Sequence, residues 1–174
     1  KMDETQTYSS SFADITGDEW YANTIGFMER FGIVSGYDDG TFDAKKSITR
    51  AEFATIASQF DALVETDNNI FPDVSEDYWA ISYINSAVEK GWVSGYPDGT
   101  FKPTQNITRA EAVSIVNRML ERVADQQYIT TNENHIRTFA DVAESHWAYY
   151  NVVEASNGHK HYYNDIKEIW TCLD

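Results

Sequence analysis

Two arginines, Arg50 and Arg109, each directly follow a threonine that begins a helical sequence pattern. The first turn of a helix carries a positive partial charge, which disfavours a cation there by about 0.3–1 kcal/mol. The chain has only 13 lysines and arginines, so two cations at this unfavourable place indicate a specific role. Each could pair with a carboxylate such as Asp14 or Asp73, or could join free helix-start N–H groups in binding an anion. One arginine can also do both, by holding a carboxylate while facing a groove.

Three tryptophans, Trp20, Trp79 and Trp147, stand where the first helix of each repeated unit is predicted to begin. A repeated aromatic residue is consistent with core packing. Alternatively, a partly exposed indole stacks on the apolar face of a sugar and offers its N–H as a donor. Three aspartates recur as well, and their carboxylates either accept sugar hydroxyls or cap local turns. These aspartates are Asp14, Asp73 and Asp141.

The sequence offers no arrangement that indicates an enzyme. Asp39 and Glu52 could be paired as glycosidase carboxylates, but a tight turn accounts for Asp39 and a helix cap for Glu52. A single cysteine, Cys172, excludes an intrachain disulfide and a zinc site built from several cysteines. His159 and His161 could bind a metal, although an exposed polar tail is the simpler interpretation. We therefore predict no catalytic site, no cofactor and no metal.

Composition narrows the class of partner. The 174 residues carry 28 acidic and 13 basic side chains, for a formal net charge of −15. Nucleic acid and anionic membrane surfaces both need a basic face, so we exclude both, and no apolar run is long enough to span a bilayer. With 42% hydrophobic and 14% aromatic residues, the chain is expected to fold. No apolar leader follows Lys1, so we expect any secretory signal to have been removed or to lie outside this sequence.

An internal duplication supplies the elements that position these residues. A shift of 59 residues aligns 12–54 with 71–113 without a gap, and 19 of the 43 positions are identical. A third copy begins at Phe139 and keeps the spacing to Trp147, but it lacks the later motifs. An atypical terminal unit is common in repeat proteins, where it caps the array. We predict units at 12–60, 71–123 and 139–174, an N-terminal extension at 1–11, and connections at 61–70 and 124–138.

Each complete unit predicts a helix, a long ordered loop and a second helix. In the second unit, apolar residues at i, i+3, i+4, i+7 and i+8 from Ala80 form one helical face, and Gly91 follows as a left-handed stop. Asp98-Gly99, like Asp39-Gly40 in the first unit, predicts a tight turn in the loop.

The second helices begin with capping boxes, Thr49-x-x-Glu52 and Thr108-x-x-Glu111. In this motif the threonine hydroxyl accepts from the amide of the glutamate, and the glutamate carboxylate accepts from the amide of the threonine. The apolar residues that follow extend as far as Val64 in the first unit and Val123 in the second. The predicted fold class is mainly α.

The repeated motifs resemble the S-layer homology (SLH) family, whose pattern contains Phe-x-Asp-Val, a Trp, Gly-Tyr-x-Asp-Gly-Thr-Phe and Ile-Thr-Arg-Ala-Glu. Residues 71–111 match this pattern almost throughout and residues 12–52 nearly as well, while the third unit resembles a divergent terminal form. The resemblance implies three helix-loop-helix SLH repeats. These would form a pseudo-threefold, three-lobed domain around a central helical bundle.

The resemblance also implies non-covalent, non-catalytic anchoring of a surface protein to the bacterial cell wall. The implied ligand is a secondary cell-wall polysaccharide, often carrying pyruvylated N-acetylmannosamine, held in grooves between lobes. The family's binding arginine corresponds to Arg50 and Arg109, and the third unit has none, so we expect one or two working sites. The residues expected to contact sugar are Trp20, Trp79, Trp147, Asp14 and Asp73.

A different class of function is a protein–protein or self-assembly module of the S-layer or cell surface, whose repeats do not bind carbohydrate. In both cases the expected location is extracellular, in the cell wall or S-layer of a Gram-positive-type envelope. The chain would then be part of a larger surface protein, with no nucleic-acid partner and no membrane insertion.

Overall fold

The computed structural model describes residues 2, 5–165 and 167–174. The helices in this part of the chain are α1 (Ala22–Arg30), α2 (Arg50–Ser58), α3 (Ile81–Glu89), α4 (Arg109–Met119), α5 (Gln126–Thr131) and α6 (Tyr149–Ser156). A 3₁₀ turn spans Glu133–His135, and β1 (His159–Asn164) pairs with β2 (Lys167–Leu173) as an antiparallel hairpin. The mainly α prediction is confirmed. None of the helices described is long and apolar enough to cross a bilayer.

The first two units have the predicted architecture, α1 with α2 and α3 with α4. Both capping boxes are present. The hydroxyls of Thr49 and Thr108 accept from the amides of Glu52 and Glu111 at 3.2 Å in each case. The glutamate carboxylates accept from the threonine amides at 2.6 and 2.8 Å. These caps fix where the second helices start, and therefore where the arginine that follows each threonine is placed.

The turns predicted inside the loops are also present. Gly40 and Gly99 have φ of 80° and 81°, a left-handed conformation that a residue with a Cβ rarely adopts. Gly91, at φ 69°, follows α3 as the predicted left-handed stop. The loops are thereby folded back across the helices of their own unit.

The second helices are shorter than their apolar patterns predict. The α4 helix ends at Met119, and the left-handed backbone of Glu121 at φ 55° keeps the helix from continuing. The α2 helix ends at Ser58. Five large apolar residues beyond these ends are exposed, namely Phe60, Leu63, Val64, Leu120 and Val123.

Packing joins each unit to the next one. The α2 helix packs against α3, and α4 packs against α6. Ala51, Ala54 and Ala57 of α2 are buried in one cluster with Ile84 and Ala87 of α3. Small side chains allow these helices to approach closely, so the second helix of one unit shares its core with the first helix of the following unit.

The third unit is not the helix-loop-helix that was predicted. The α6 helix leads directly into the β-hairpin, and α5 with the 3₁₀ turn occupies the segment 124–138 that was expected to be a connection. This unit lacks the Ile-Thr-Arg-Ala-Glu motif, so it has no capping box to start a second helix. Its core is formed by Ile129, Ile136, Tyr149, Val153 and Trp170. A closed three-lobed arrangement stays a prediction.

The segment 159–174 is likewise not an exposed polar tail. His159, Glu168 and Trp170 are buried where the hairpin meets the rest of the third unit. His161 pairs with Trp170 across the hairpin, and the register shifts between Lys160 and His161. Polar residues at buried positions explain why the sequence pattern resembled a solvated segment.

Candidate functional site

Each of the first two units contains a groove between its loop and its second helix. The repeat-2 groove measures about 700 Å³ and is lined by the loop 94–97, α4, Arg50 and Trp147. The repeat-1 groove measures about 630 Å³ and is lined by the equivalent loop 32–38, α2 and Trp79. A tryptophan from the following unit completes each groove. Only the repeat-2 groove also receives a side chain from the preceding unit.

Arg50 begins α2, but its side chain leaves its own unit and enters the second one. Its Nε donates to the carbonyl of Phe101 at 2.7 Å, and Nη2 donates to the carbonyl of Ser94 at 3.2 Å. Its Nη1 pairs with Glu111 Oε1 at 2.9 Å. The residue is only 6% exposed. The carboxylate partner predicted for Arg50 therefore exists, but it is Glu111 of the next unit and not Asp14 or Asp73.

Aromatic rings and a shared carboxylate hold this guanidinium group. Arg50 Cζ lies 4.6 Å from the ring centre of Tyr96 and 4.8 Å from that of Phe101, within cation–π range. The Tyr96 hydroxyl donates to Glu111 Oε1 at 2.5 Å, the same oxygen that accepts from Arg50. Burial works to raise the pKa of Glu111, but the bonds from Tyr96 and Thr108 and the charge of Arg50 outweigh it and lower that pKa. Glu111 is therefore ionised at neutral pH.

The helix-start amides of α2 are not free to bind an anion, so this one of the two alternatives does not hold at α2. The Arg50 amide donates to the carbonyl of Gln105 at 2.8 Å, and the Ala51 amide donates to that of Pro103 at 3.0 Å. An isolated antiparallel bridge at Thr49 brings the backbone of the second unit against this helix start. The second unit therefore satisfies donors that a lone helix would leave open.

The repeat-2 groove contains a second arginine that sequence reasoning missed. Arg118 lines the groove from α4, is exposed, and donates to the carbonyl of Trp92 at 3.2 Å. Nearby, the Gln105 side chain donates to the Tyr96 hydroxyl at 2.7 Å. Arg118 aligns with Gln59 of the first unit, and this change of charge within a repeated helix was the available signal.

The repeat-1 groove has the same framework with the opposite charge balance. The Tyr37 hydroxyl donates to Glu52 at 3.2 Å, and Lys46 Nζ lies 4.2 Å from the Tyr37 ring centre. The charged residues that line this groove are Lys46 and three acids, Asp38, Asp43 and Glu52. The repeat-2 groove instead has two arginines and one carboxylate. An anionic ligand is therefore favoured in the second groove and disfavoured in the first.

The three tryptophans are not core residues. Trp20, Trp79 and Trp147 are 91%, 57% and 61% exposed, so the core-packing interpretation is wrong. Trp79 and Trp147 each stand on the wall of the groove formed by the preceding unit. Trp20 lines neither of these two grooves.

The repeated aspartates cap the loops, as one of the two alternatives predicted. Asp14 accepts from the amides of Phe42 and Asp43 at 2.8 and 2.7 Å, and Asp73 accepts from the equivalent amides at the same distances. The Phe42 amide is the main reason why the pKa of Asp14 is lowered. Backbone donors thus occupy both oxygens of each carboxylate. Asp141 in the third unit is exposed.

Arg109 has a different environment from Arg50 although the two occupy equivalent positions. Arg109 is exposed, and within the described residues its side chain makes no hydrogen bond or ion pair. In the same part of the chain, the amides of Arg109 and Ala110 find no acceptor. The predicted corner of an arginine and open helix-start amides therefore exists at α4 and not at α2.

Comparison with known proteins identifies relatives. The family model described as the S-layer homology domain matches residues 11–54 and 70–113. The chain is 38% identical over 151 residues to the Cellulosome-anchoring protein of Acetivibrio thermocellus, covering 84% of this chain and 32% of that protein. It is 35% identical over 172 residues to Cell surface glycoprotein 1 of the same organism, covering 92% and 7%. It is also 38% identical over 102 residues to the Surface layer protein of Brevibacillus choshinensis, covering 56% and 9%.

The chain thus spans a third or less of the length of these relatives. The two matched segments together make up half of the chain, and they contain the loops and capping boxes that form the two grooves. Both structure and motif therefore repeat over the same residues, and the chain belongs to the S-layer homology domain family.

Proposed function

We propose that this chain anchors a larger surface protein to the bacterial cell wall by binding an acidic secondary cell-wall polysaccharide without a covalent bond. The observation that carries the proposal is the charge of the repeat-2 groove, where Arg50 and Arg118 accompany a single carboxylate in a chain of net charge −15. Such a chain repels anions at long range. Recognition of an acidic glycan must therefore be local, through guanidinium groups in a groove.

Arg50 is prepared to bind a carboxylate. Its Nε and one N–H of each terminal nitrogen are used inside the protein, which leaves the other N–H of each terminal nitrogen for a ligand. Because its protein contacts already fix the group, little conformational freedom is lost on binding. The carboxylate of a pyruvate ketal on N-acetylmannosamine has the geometry to accept such donors.

Aromatic side chains provide the contact for the sugar ring. Trp147 is exposed on the wall of the repeat-2 groove, and Tyr96 lines the same groove. An indole or phenol ring presents a flat apolar face together with a polar tip, which suits a saccharide that is apolar on one face and polar at its edge. Trp79 offers the same contact in the repeat-1 groove, where the acids favour a neutral residue of the glycan.

The similarity to proteins named for cellulosome anchoring and for the surface layer supports an anchoring role. We infer that the chain is one domain of a longer protein, located outside the cell in the wall or S-layer.

Three further residues are proposed as minor ligand contacts. Arg109 at the start of α4 is proposed as a second, weaker contact for an anion. Asp14 and Asp73 are proposed to contact sugar only through the oxygens that already accept from backbone amides.

The test is binding of the purified chain to isolated wall polysaccharide, before and after hydrolysis of the pyruvyl groups. The informative variant is Arg118→Gln, which gives the repeat-2 groove the side chain that Gln59 supplies in the first unit. Lys45→Gln removes the same charge from an exposed position that lines neither groove and serves as the control. We expect Arg118→Gln to weaken binding about tenfold or more, as the loss of a charged hydrogen bond does.

Depyruvylation should weaken binding of the unmodified chain and should have less effect on Arg118→Gln. Lys45→Gln should bind like the unmodified chain. Indifference to both depyruvylation and Arg118→Gln would overturn the proposal and favour a protein–protein or self-assembly module. Arg109→Ala then measures whether the open start of α4 contributes a separate contact.

A further inference from the structure

The hairpin of the third unit brings together a set of side chains that the glycan groove does not use. His159 and His161 of β1 and Glu168 of β2 share one face of the hairpin, and Glu154 of α6 approaches His159 there. The ring nitrogens and carboxylate oxygen of the two histidines and Glu168 all lie within 4.8 Å of one another. These four residues, here called the hairpin cluster, combine two imidazoles with two carboxylates.

The orientation of His159 turns its Nε2 towards this cluster. Its Nδ1 lies 2.8 Å from the backbone carbonyl of Asn157, which can only accept, so Nδ1 carries a proton. Its Nε2 lies 2.7 Å from Glu168 Oε1, close enough for the two atoms to share a cation. A backbone carbonyl on the far ring nitrogen is also the usual second partner of a metal-binding histidine.

Glu154 supplies an independent observation. Its side chain is 1% exposed, and within the described residues neither carboxylate oxygen accepts a hydrogen bond of good geometry. Oε1 lies 2.6 Å from an Arg122 nitrogen and 3.6 Å from His159 Nε2. Arg122 therefore compensates part of the charge of this buried carboxylate, but within the described residues Oε2 has no donor, and a metal ion beside the group would offset that cost.

Two of the three separations between ligand atoms are close to those around a small tetrahedral ion, and the third is shorter. Two ligand atoms around zinc are about 3.3 Å apart when each bond is about 2.0–2.1 Å long. The separations from Glu168 Oε1 to His159 Nε2 and to His161 Nδ1 are 2.7 and 3.2 Å, and the separation from His159 Nε2 to Glu154 is 3.6 Å. Imidazole and carboxylate together are a zinc ligand set, whereas calcium and magnesium prefer oxygen alone.

Neighbouring groups hold these ligands in place. The His159 ring stacks on Trp170 with centroids 3.7 Å apart, and the amide of Val123 donates to Glu168 Oε2 at 3.1 Å. The His161 ring is 35% exposed, so an ion can reach the cluster from solvent. Supported ligands and an entry path are both features of an evolved metal site.

We propose that His159, His161, Glu168 and Glu154 form a zinc site that fastens the C-terminal hairpin to α6. The site is structural, because the protein supplies all of its ligands. It takes the place that a second helix has in the first two units, where a capped helix and an apolar core hold the unit together. The proposal does not depend on glycan binding, since none of its ligands lines the repeat-2 groove.

The test is titration of the full, chelator-stripped chain with ZnCl2, followed by calorimetry and thermal unfolding, with MgCl2 as the control cation. We expect one zinc ion per chain, a rise of the unfolding temperature with zinc and no rise with magnesium. His161→Gln removes the half-exposed ligand and should weaken zinc binding tenfold or more. His135→Gln changes an exposed histidine outside the cluster and should bind like the unmodified chain.

Cobalt provides a readout on the unmodified chain that does not depend on any variant being folded. Co²⁺ held by two imidazoles and two carboxylates should give intense visible bands that zinc abolishes by competition. The proposal is overturned if zinc neither saturates at one ion per chain nor stabilises it. It is equally overturned if His161→Gln and Glu154→Gln, when folded, bind zinc like the unmodified chain.

Discussion

The two grooves of this domain are built on the same framework but differ in their charge. Each has a tyrosine that donates to the glutamate of a capping box, Tyr37 to Glu52 and Tyr96 to Glu111. Only the repeat-2 groove receives an arginine from the preceding unit. The difference shows that Arg50, the arginine of the first Thr-Arg-Ala-Glu motif, acts on the next unit and not on its own.

Because each such arginine depends on the unit that follows it, Arg50 and Arg109 differ. The first has a complete unit after it, with a loop and a glutamate to receive its side chain, and it is buried. Arg109 is followed by a unit that has a hairpin instead, and it is exposed. Equivalent positions in a repeated sequence therefore have different environments when the following unit changes.

The largest effect should come from Arg50→Ala compared with Arg109→Ala. The first change removes a buried guanidinium group, leaves the half-buried Glu111 without its cation and frees the carbonyls of Phe101 and Ser94, so it should lower the free energy of unfolding by about 3–5 kcal/mol. Arg109→Ala should stay within about 0.5 kcal/mol, as surface changes do. Urea denaturation of both variants measures the difference. Equal effects would mean that the two arginines are not distinguished by burial.

A smaller effect is expected for Glu111→Gln compared with Glu52→Gln. Glutamine can replace glutamate in a capping box, so both variants should keep their helix starts. Only Glu111→Gln also takes the carboxylate away from Arg50, which should cost about 2 kcal/mol, less than full removal of a buried partner because the amide oxygen still accepts. Glu52→Gln should cost less than about 1 kcal/mol. Chemical denaturation under the same conditions checks both values, and the reverse ranking would contradict the assignment.

Acid should weaken the domain through the same two carboxylates. Burial works to raise the pKa of Glu52 and Glu111, but hydrogen bonds from the cap and the tyrosine outweigh it and lower both below 4.5. A lowered pKa in the folded state gives stability that is present above 4.5 and is lost as the pH falls through the folded value. Glu111 also faces Arg50, whereas Glu52 faces Lys46.

The unfolding free energy of the unmodified chain should therefore decrease as the pH is lowered below 4.5. Glu111→Gln should reduce this pH dependence more than Glu52→Gln does. Urea midpoints measured across this range for the three proteins test the order. A pH dependence that is unchanged in Glu111→Gln would show that this carboxylate does not titrate with folding.

The smallest effect concerns the turn aspartates and is measured as the pKa of one exposed carboxyl group. The hydroxyl and amide of Thr100, together with Lys102, lower the pKa of Asp98 to about 2. Lys102 aligns with Asp43, and both have φ of 56°, so Lys102→Asp keeps the backbone and reverses the charge. Carboxyl NMR titration should show a higher pKa for Asp98 in this variant. Asp39 in the same spectrum should not move.

Much of the first two units could be predicted because their signals are local. A Thr-x-x-Glu motif specifies a helix start and Asp-Gly specifies a turn, and both are present in each of these two units. The charge of a groove, in contrast, is not set by a short sequence motif. It depends on where the Arg50 side chain goes, and an alignment of repeats places Arg50 and Arg109 at one position.

The third unit could not be predicted for a different reason. Its buried positions in the hairpin are occupied by His159 and Glu168 as well as Trp170, so the alternation of polar and apolar residues that marks a half-buried strand is lost. For the tryptophans, core packing was one expectation, because large aromatic side chains are usually at least partly buried. They are exposed instead.

The insertion of Arg50 into the second unit means that the boundaries of a groove differ from the boundaries of a repeat. One complete groove needs the start of one second helix, the whole of the next repeat and the tryptophan of the repeat after that. A linear array consequently has fewer complete grooves than motifs. Splitting or shuffling such genes at motif borders would preserve every motif and still leave a groove incomplete.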